Sequence, residues 1–256
     1  MTTVYPAEKT AIITGAGSPR GIGRDLAIRL AGKGWHLGLV DRDVALATEL
    51  AETFRQEHGI KAVAVETDIS DPAAVDHAGS IFEAELPPVL AVVNIAGISD
   101  PTPFMQTDVT RWERVLKINA TGTFNVTKRF VAGMVERKIG RIVSLSSTAA
   151  QSGGGTFSAA AYAASKAAIE GMTRGLALEI ANTGVTANAI APAIIDTDIM
   201  GGTITPDRLD YFTSRLPVGR LGRVDEVSAL IEFLIGPDAS YITGATLNIN
   251  GGARIG

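Results

Sequence analysis

Seven short apolar runs, each separated from the next by a longer segment, constrain this chain more than any other feature. They are Thr10–Thr14, His36–Val40, Ala62–Val65, Leu90–Asn94, Arg141–Leu145, Val185–Ile190 and Ala245–Ile249. All are rich in Ile, Val, Leu or Ala and nearly free of charge, the pattern of parallel strands covered on both faces. Among the intervening segments, Gly21–Ala31 carries Ile22, Leu26, Ala27 and Leu30 at helical spacing, and Arg111–Arg137 and Ala160–Ala181 are longer still. Alternation of this kind predicts a doubly wound α/β fold. About seven parallel strands form its sheet, and right-handed crossovers place helices on both faces. No linker, repeat or low-complexity stretch interrupts the pattern, so residues 1–256 read as a single domain.

Composition removes several classes of function. With no cysteine, the chain has no disulfide, thiolate zinc site or cysteine nucleophile, which fits a reducing, cytoplasmic setting. The net charge of −4, without blocks of one sign, argues against a nucleic-acid or membrane surface. No apolar stretch approaches the roughly 20 residues of a membrane span. His36, His58 and His77 lie far apart in the sequence, so no helical His-pair metal site is expected and acid–base work must fall to another residue type.

Two segments carry chemistry. The first strand runs into Thr14-Gly15-Ala16-Gly17-Ser18-Pro19-Arg20-Gly21-Ile22-Gly23, after which a helix begins. Glycines let the backbone approach a pyrophosphate, and the helix N-terminus favours its charge. The strict G-x-G-x-x-G spacing is missed, because Arg20 stands where the third glycine belongs. Twenty residues beyond Gly21, Asp41 ends the second strand, where a carboxylate accepts from adenosine ribose hydroxyls and repels a 2′-phosphate. That favours NAD(H), while Arg20 and Arg42 keep NADP(H) open. The other segment, Tyr162-Ala163-Ala164-Ser165-Lys166, places a phenol and an ammonium one helical turn apart. A nearby cation lowers a tyrosine pKa and makes acid–base catalysis feasible, although an ordinary helix-surface pair would look the same in isolation.

Taken in order, these and further motifs resemble the short-chain dehydrogenase/reductases from about Thr10 to Gly252. The additional matches are Asp68-Ile69, Asn94-Ile95-Ala96-Gly97, Asn119 within Lys117-Ile118-Asn119, Ser146-Ser147, Asn188–Pro192 and Gly244 to Gly252. The resemblance implies a Rossmann-type fold and a nicotinamide-dependent oxidoreductase acting on a small secondary alcohol or ketone. It casts Tyr162 as general acid and base, Lys166 as the residue that depresses its pKa and holds the nicotinamide ribose, and Ser147 as donor to the substrate oxygen. Asn119 would anchor a water behind Lys166. Around the coenzyme it implies contacts from Gly15, Arg20, Gly21 and Ile22 of the glycine loop, and from Asp41, Asp68, Ile69, Asn94 and Gly97 along the adenosine. Pro192, Ile195 and Thr197 would lie at the nicotinamide. Relatives commonly form homotetramers through the helices equivalent to Arg111–Arg137 and Ala160–Ala181.

The chain departs from the family pattern at two places. Ser18-Pro19 reads as an insertion in the glycine loop, and the segment from Ser147 to Tyr162 is longer than usual, with the extra length in 151–158. Substrate walls are expected from 98–104, 151–158 and a closing loop at about 198–215, where Arg208 and Arg215 could meet a carboxylate. Two other functions fit the same motifs: an NADP(H)-dependent 3-oxoacyl-carrier-protein reductase, and a catalytically silent dinucleotide-binding regulatory protein.

Overall fold

The protein is described by a computed structural model that covers residues 5–155, 158–200 and 205–255. Seven strands form one sheet: β1 (Thr10–Thr14), β2 (His36–Asp41), β3 (Ala62–Glu66), β4 (Val89–Asn94), β5 (Gly140–Leu145), β6 (Val185–Pro192) and β7 (Thr246–Ile249). Their spatial order is β3-β2-β1-β4-β5-β6-β7, and every neighbouring pair is parallel. The expected doubly wound sheet is therefore present. Its order reverses between β1 and β4, and the crevice outside the carboxyl ends of the strands at such a switch point is where ligands bind in this architecture.

Alternation along each strand sends side chains into two separate cores. Ala11 and Ile13 of β1, with Leu37 and Leu39 of β2, pack on one face with Leu26, Leu30 and Phe54 from α1 (Ile22–Ala31) and α2 (Ala45–His58). On the opposite face, Ile12, Val92 and Ile142 meet Phe82 of α3 (Pro72–Glu85) and Phe130 and Met134 from the helix before β5. That helix, expected over Arg111–Arg137, is continuous but composite. It consists of α4 (Val109–Leu116), a π-helical turn at Lys117–Thr121 and α5 (Gly122–Arg137). Such a turn inserts a residue into the helical ladder, and π-bulges are frequent at functional sites. Beyond β5 come a single turn α6 (Ala149–Ser152), the 20-residue α7 (Ala160–Glu179), then α8 (Pro206–Thr213) and α9 (Val224–Ile235). Of the expected closing loop, residues 201–204 lie outside the described residues. Among the described residues no helix is long and apolar enough to cross a membrane.

Phe82 shows how closely this packing is fitted. It is fully buried, and Gly38 in β2 leaves the space for its ring, because a Cβ there would stand 3.1 Å from Phe82 Cδ1. Phe82→Ala is expected to lower the unfolding free energy by about 3–5 kcal/mol. Urea unfolding reads this as a lower midpoint at constant slope. A loss below about 1 kcal/mol would mean that the two faces do not form a tightly packed core.

Candidate active site

One cavity of about 850 Å³ runs along the carboxyl ends of β1, β2, β4, β5 and β6. The glycine loop forms one end, where Gly15 turns the chain with a φ of +79° as its N–H donates to the Val40 carbonyl at 2.8 Å. Asp41 fixes the loop: its Oδ2 accepts from the Gly17 N–H at 2.8 Å and its Oδ1 from the Asp43 N–H at 3.1 Å. Gly17 has to be glycine here, since a Cβ would run into the Asp43 carbonyl and the Asp41 carboxyl carbon. Helix α1 then starts at Gly21 with no side chain capping it. First-turn N–H groups of a helix have no intrahelical partners and carry partial positive charge.

Thr14 holds the two sides of the switch point together. Its Oγ1 accepts from the Ile95 and Ala96 N–H groups at 3.0 and 3.1 Å, drawing the exit of β4 toward the end of β1. Gly97 follows, and a Cβ there would meet Asn119 Oδ1 at 2.9 Å. Asp68 and Ile69 line the cavity beyond β3, with Asp68 Oδ1 accepting from the Ser70 N–H at 2.9 Å. Those bonds from Ser70, with smaller contributions from Arg42 and Lys117, hold the Asp68 carboxyl below its ordinary pKa. Pro192, Ile195 and Thr197 line the opposite wall.

At the far end stand the phenol and its neighbours. Tyr162 of α7 and Ser147, which follows β5, both line the cavity, and the Ser147 hydroxyl is near enough to act on the phenol's pKa. Ser146 is turned the other way: its hydroxyl donates to Glu170 Oε1 at 2.8 Å and lies 3.2 Å from the Lys166 carbonyl. Of the adjacent serines, Ser147 therefore faces the phenol. Lys166 is buried behind it, with Nζ donating to the Leu145 carbonyl at 2.7 Å and lying 5.7 Å from the centre of the Tyr162 ring. Burial pushes this ammonium down to about 8.

Several expected roles change. The Tyr162 phenol is not lowered: burial raises its pKa, and the nearby Ser147 hydroxyl only partly offsets that. Desolvation of the charged form outweighs the pull of a nearby cation that is itself desolvated. The Asn119 side chain has both amide hydrogens committed, one to the Ile98 carbonyl and one to Ser165 Oγ, each at 2.9 Å. Its Oδ1 accepts from the Ile98 N–H at 2.8 Å. Its side chain, on the π-helical turn, therefore clamps the β4 exit loop to α7. Asn94 does not line the cavity, because its amide is buried against Thr127 Oγ1 and Ser144 Oγ at 3.0 and 3.1 Å. Arg20 also lies off the cavity wall and pairs with Asp196 and Asp198. Sequence reasoning missed Thr14 and Glu170. A hydroxyl at the end of the first strand was the available signal for Thr14, and spacing of i+4 from Lys166 the one for Glu170.

The site fits a nicotinamide dinucleotide. A glycine-rich loop and an uncapped helix start suit a pyrophosphate, and Asp41, Asp68 and the buried Tyr162 phenol line the same cavity. Among the described residues there is no group of three or more His, Cys, Asp or Glu that could hold a metal ion.

Comparison with known proteins agrees with this geometry. Residues 15–254 match a family model described as enoyl-(acyl carrier protein) reductase. The chain is 34% identical over 244 residues to a 3-oxoacyl-[acyl-carrier-protein] reductase of Aquifex aeolicus, covering 95% of this chain and 96% of that protein. It is 37% identical over 244 residues to an acetoacetyl-CoA reductase of Rhizobium meliloti, with 95% and 98% covered. Among solved structures, a 3-oxoacyl-[acyl-carrier protein] reductase from Brucella melitensis superposes with a TM-score of 0.88 at 31% identity, covering 100% of this chain and 98% of that one. With its parallel sheet, its glycine loop, Ser147 and Tyr162 lining one cavity and Lys166 buried behind the phenol, this chain belongs to the short-chain dehydrogenase/reductase family.

Proposed function

We propose that this protein interconverts a ketone and a secondary alcohol with NAD(H), using Tyr162 as the proton donor and acceptor. The observation that carries the reading is the Tyr162 phenol, with Ser147 near it, on the wall of a cavity that begins at the glycine loop and Asp41. A bound nicotinamide supplies or accepts the hydride. The chain does the rest. In reduction, Tyr162 donates its phenolic proton to the carbonyl oxygen as charge builds there, and in oxidation it takes the proton back. A raised pKa suits the reductive role, because it keeps the phenol protonated at neutral pH. Ser147 donates to the same oxygen, a stabilisation that grows with the developing charge. Lys166 lies behind the phenol, where its three N–H donors can serve both the Leu145 carbonyl and a ribose hydroxyl.

Preference for NAD(H) rests on Asp41, whose carboxylate is pinned at the adenosine end by two backbone N–H groups. A second reading, a 3-oxoacyl thioester reductase using NADP(H), draws on the names of the relatives and on Arg42, which lines the cavity beside Asp41. The exposed apolar side chains Val109, Phe124 and Leu178 on α4, α5 and α7 support the proposal of a homotetramer built on those helices.

Two measurements test the proposal. Tyr162→Phe is expected to lower kcat about 10²–10⁴-fold while leaving coenzyme affinity, read by quenching of tryptophan fluorescence, within about twofold. Activity equal to that of the unaltered protein would overturn the acid role, and the absence of turnover in the unaltered protein on any ketone or 3-oxoacyl thioester would favour a silent binding protein. For the coenzyme, kcat/KM with NADH is expected to exceed that with NADPH at least about tenfold, equivalent to about 1.4 kcal/mol. Asp41→Asn, which keeps an acceptor for the Gly17 N–H, should narrow the gap. Preference for NADPH would contradict the reading of Asp41.

A further inference from the structure

The insertion in the glycine loop has a partner on the other side of the cavity. Asp198, which lines the cavity, receives three donors from that loop. They are Ser18 Oγ and the Arg20 N–H, each at 3.2 Å, and the Arg20 guanidinium at 3.6 Å. The same guanidinium hydrogen-bonds Asp196. From the opposite side the segment is stitched to Gly222: the Asp196 N–H donates to the Gly222 carbonyl at 3.2 Å, and the Gly222 N–H donates to the Ile194 carbonyl at 3.0 Å. Residues 194–198 thus form a strap along the cavity wall, tied to the glycine loop on one side and to Gly222 on the other, and leading into the expected closing loop.

Charge gives the strap its logic. A carboxylate on the wall of a cavity that takes a diphosphate repels it, and with Asp198 about a third exposed that repulsion is only partly screened. Asp198 would be such a carboxylate if nothing answered it. We propose that Arg20 is a positioning residue that holds no coenzyme phosphate itself. Instead, it neutralises Asp196 and Asp198 and ties the strap to the glycine loop, so that loop and strap act as one wall. The coenzyme part of this inference rests on the dinucleotide reading above. Ion pairs this exposed are individually weak, as suits a contact that has to open for coenzyme to exchange.

Charge cancellation and direct phosphate binding predict opposite genetics. With direct binding, Arg20→Met weakens the coenzyme and Asp198→Asn cannot repair the loss. With charge cancellation, Arg20→Met raises the Kd for NADH, measured by fluorescence, about tenfold, and Arg20→Met combined with Asp198→Asn returns it to within about twofold of the original. A Kd that stays raised in the double variant, or that Arg20→Met leaves unchanged, would overturn the proposal. Hydrogen exchange in the coenzyme-free protein tests the strap without any ligand. Amides of 195–199 should exchange several-fold faster in Arg20→Met, and Arg20→Lys should restore most of the protection. Unchanged exchange would overturn the tie between loop and strap. An unaltered protein that binds neither NADH nor NADPH would overturn the dinucleotide reading instead, while the exchange experiment would still decide whether the strap exists.

Discussion

A single hydrogen bond, from the buried Lys166 ammonium to the carbonyl of Leu145, organises one end of the cavity. It ties the middle of α7 to the last residue of β5, the point from which Ser146 and Ser147 depart. Ser146 makes a second tie between the same two elements through Glu170. With both in place, Ser147 is left facing Tyr162, and the phenol faces the cavity. Burying a lysine is costly unless its donors are used, and desolvation lowers its pKa. Here the cost is expressed in an ammonium pushed down to about 8.

The other end of the cavity depends on backbone rather than on charge. Asp41, Thr14 and Asn119 each spend their side chains on main-chain N–H groups: Asp41 on Gly17 and Asp43, Thr14 on Ile95 and Ala96, and Asn119 on Ile98. These bonds fix the loops that leave β1 and β4, on either side of the switch point of the sheet. The parallel sheet supplies the crevice, and three polar side chains fix the loops that border it.

Much of this was legible in the sequence, for a physical reason. Strands buried on both faces are nearly uncharged, so β1, β5 and β6 stand out from their surroundings and their expected starts fall within one residue of those in the structure. The spacing of Tyr162 and Lys166 placed both on one turn of α7 because a helix of good formers leaves little choice. Local pattern could not show where side chains of the site spend their hydrogen bonds. Arg20 reads as a phosphate ligand until Asp196 and Asp198, some 176 residues away in sequence, are brought beside it. The bonds of the Asn119 side chain to Ile98 and Ser165 could not be read from its motif. Asn94 reads as a ribose contact until Thr127 and Ser144 claim its amide. The pKa direction of Tyr162 was hidden for a related cause: spacing announces a neighbouring cation, but not how completely both groups are removed from water.

That removal from water is the central claim, and the side chain of Lys166 reports it. NMR titration of protein labelled with ¹⁵N at lysine Nζ, with the signal assigned through Lys166→Arg, follows this ammonium directly. The account predicts a midpoint of about 8 for Lys166, against an ordinary lysine value of 10.5. A midpoint near 10.5 would contradict it, because the lysine would then be solvated and could not be the buried support on which Tyr162 and Ser147 are set.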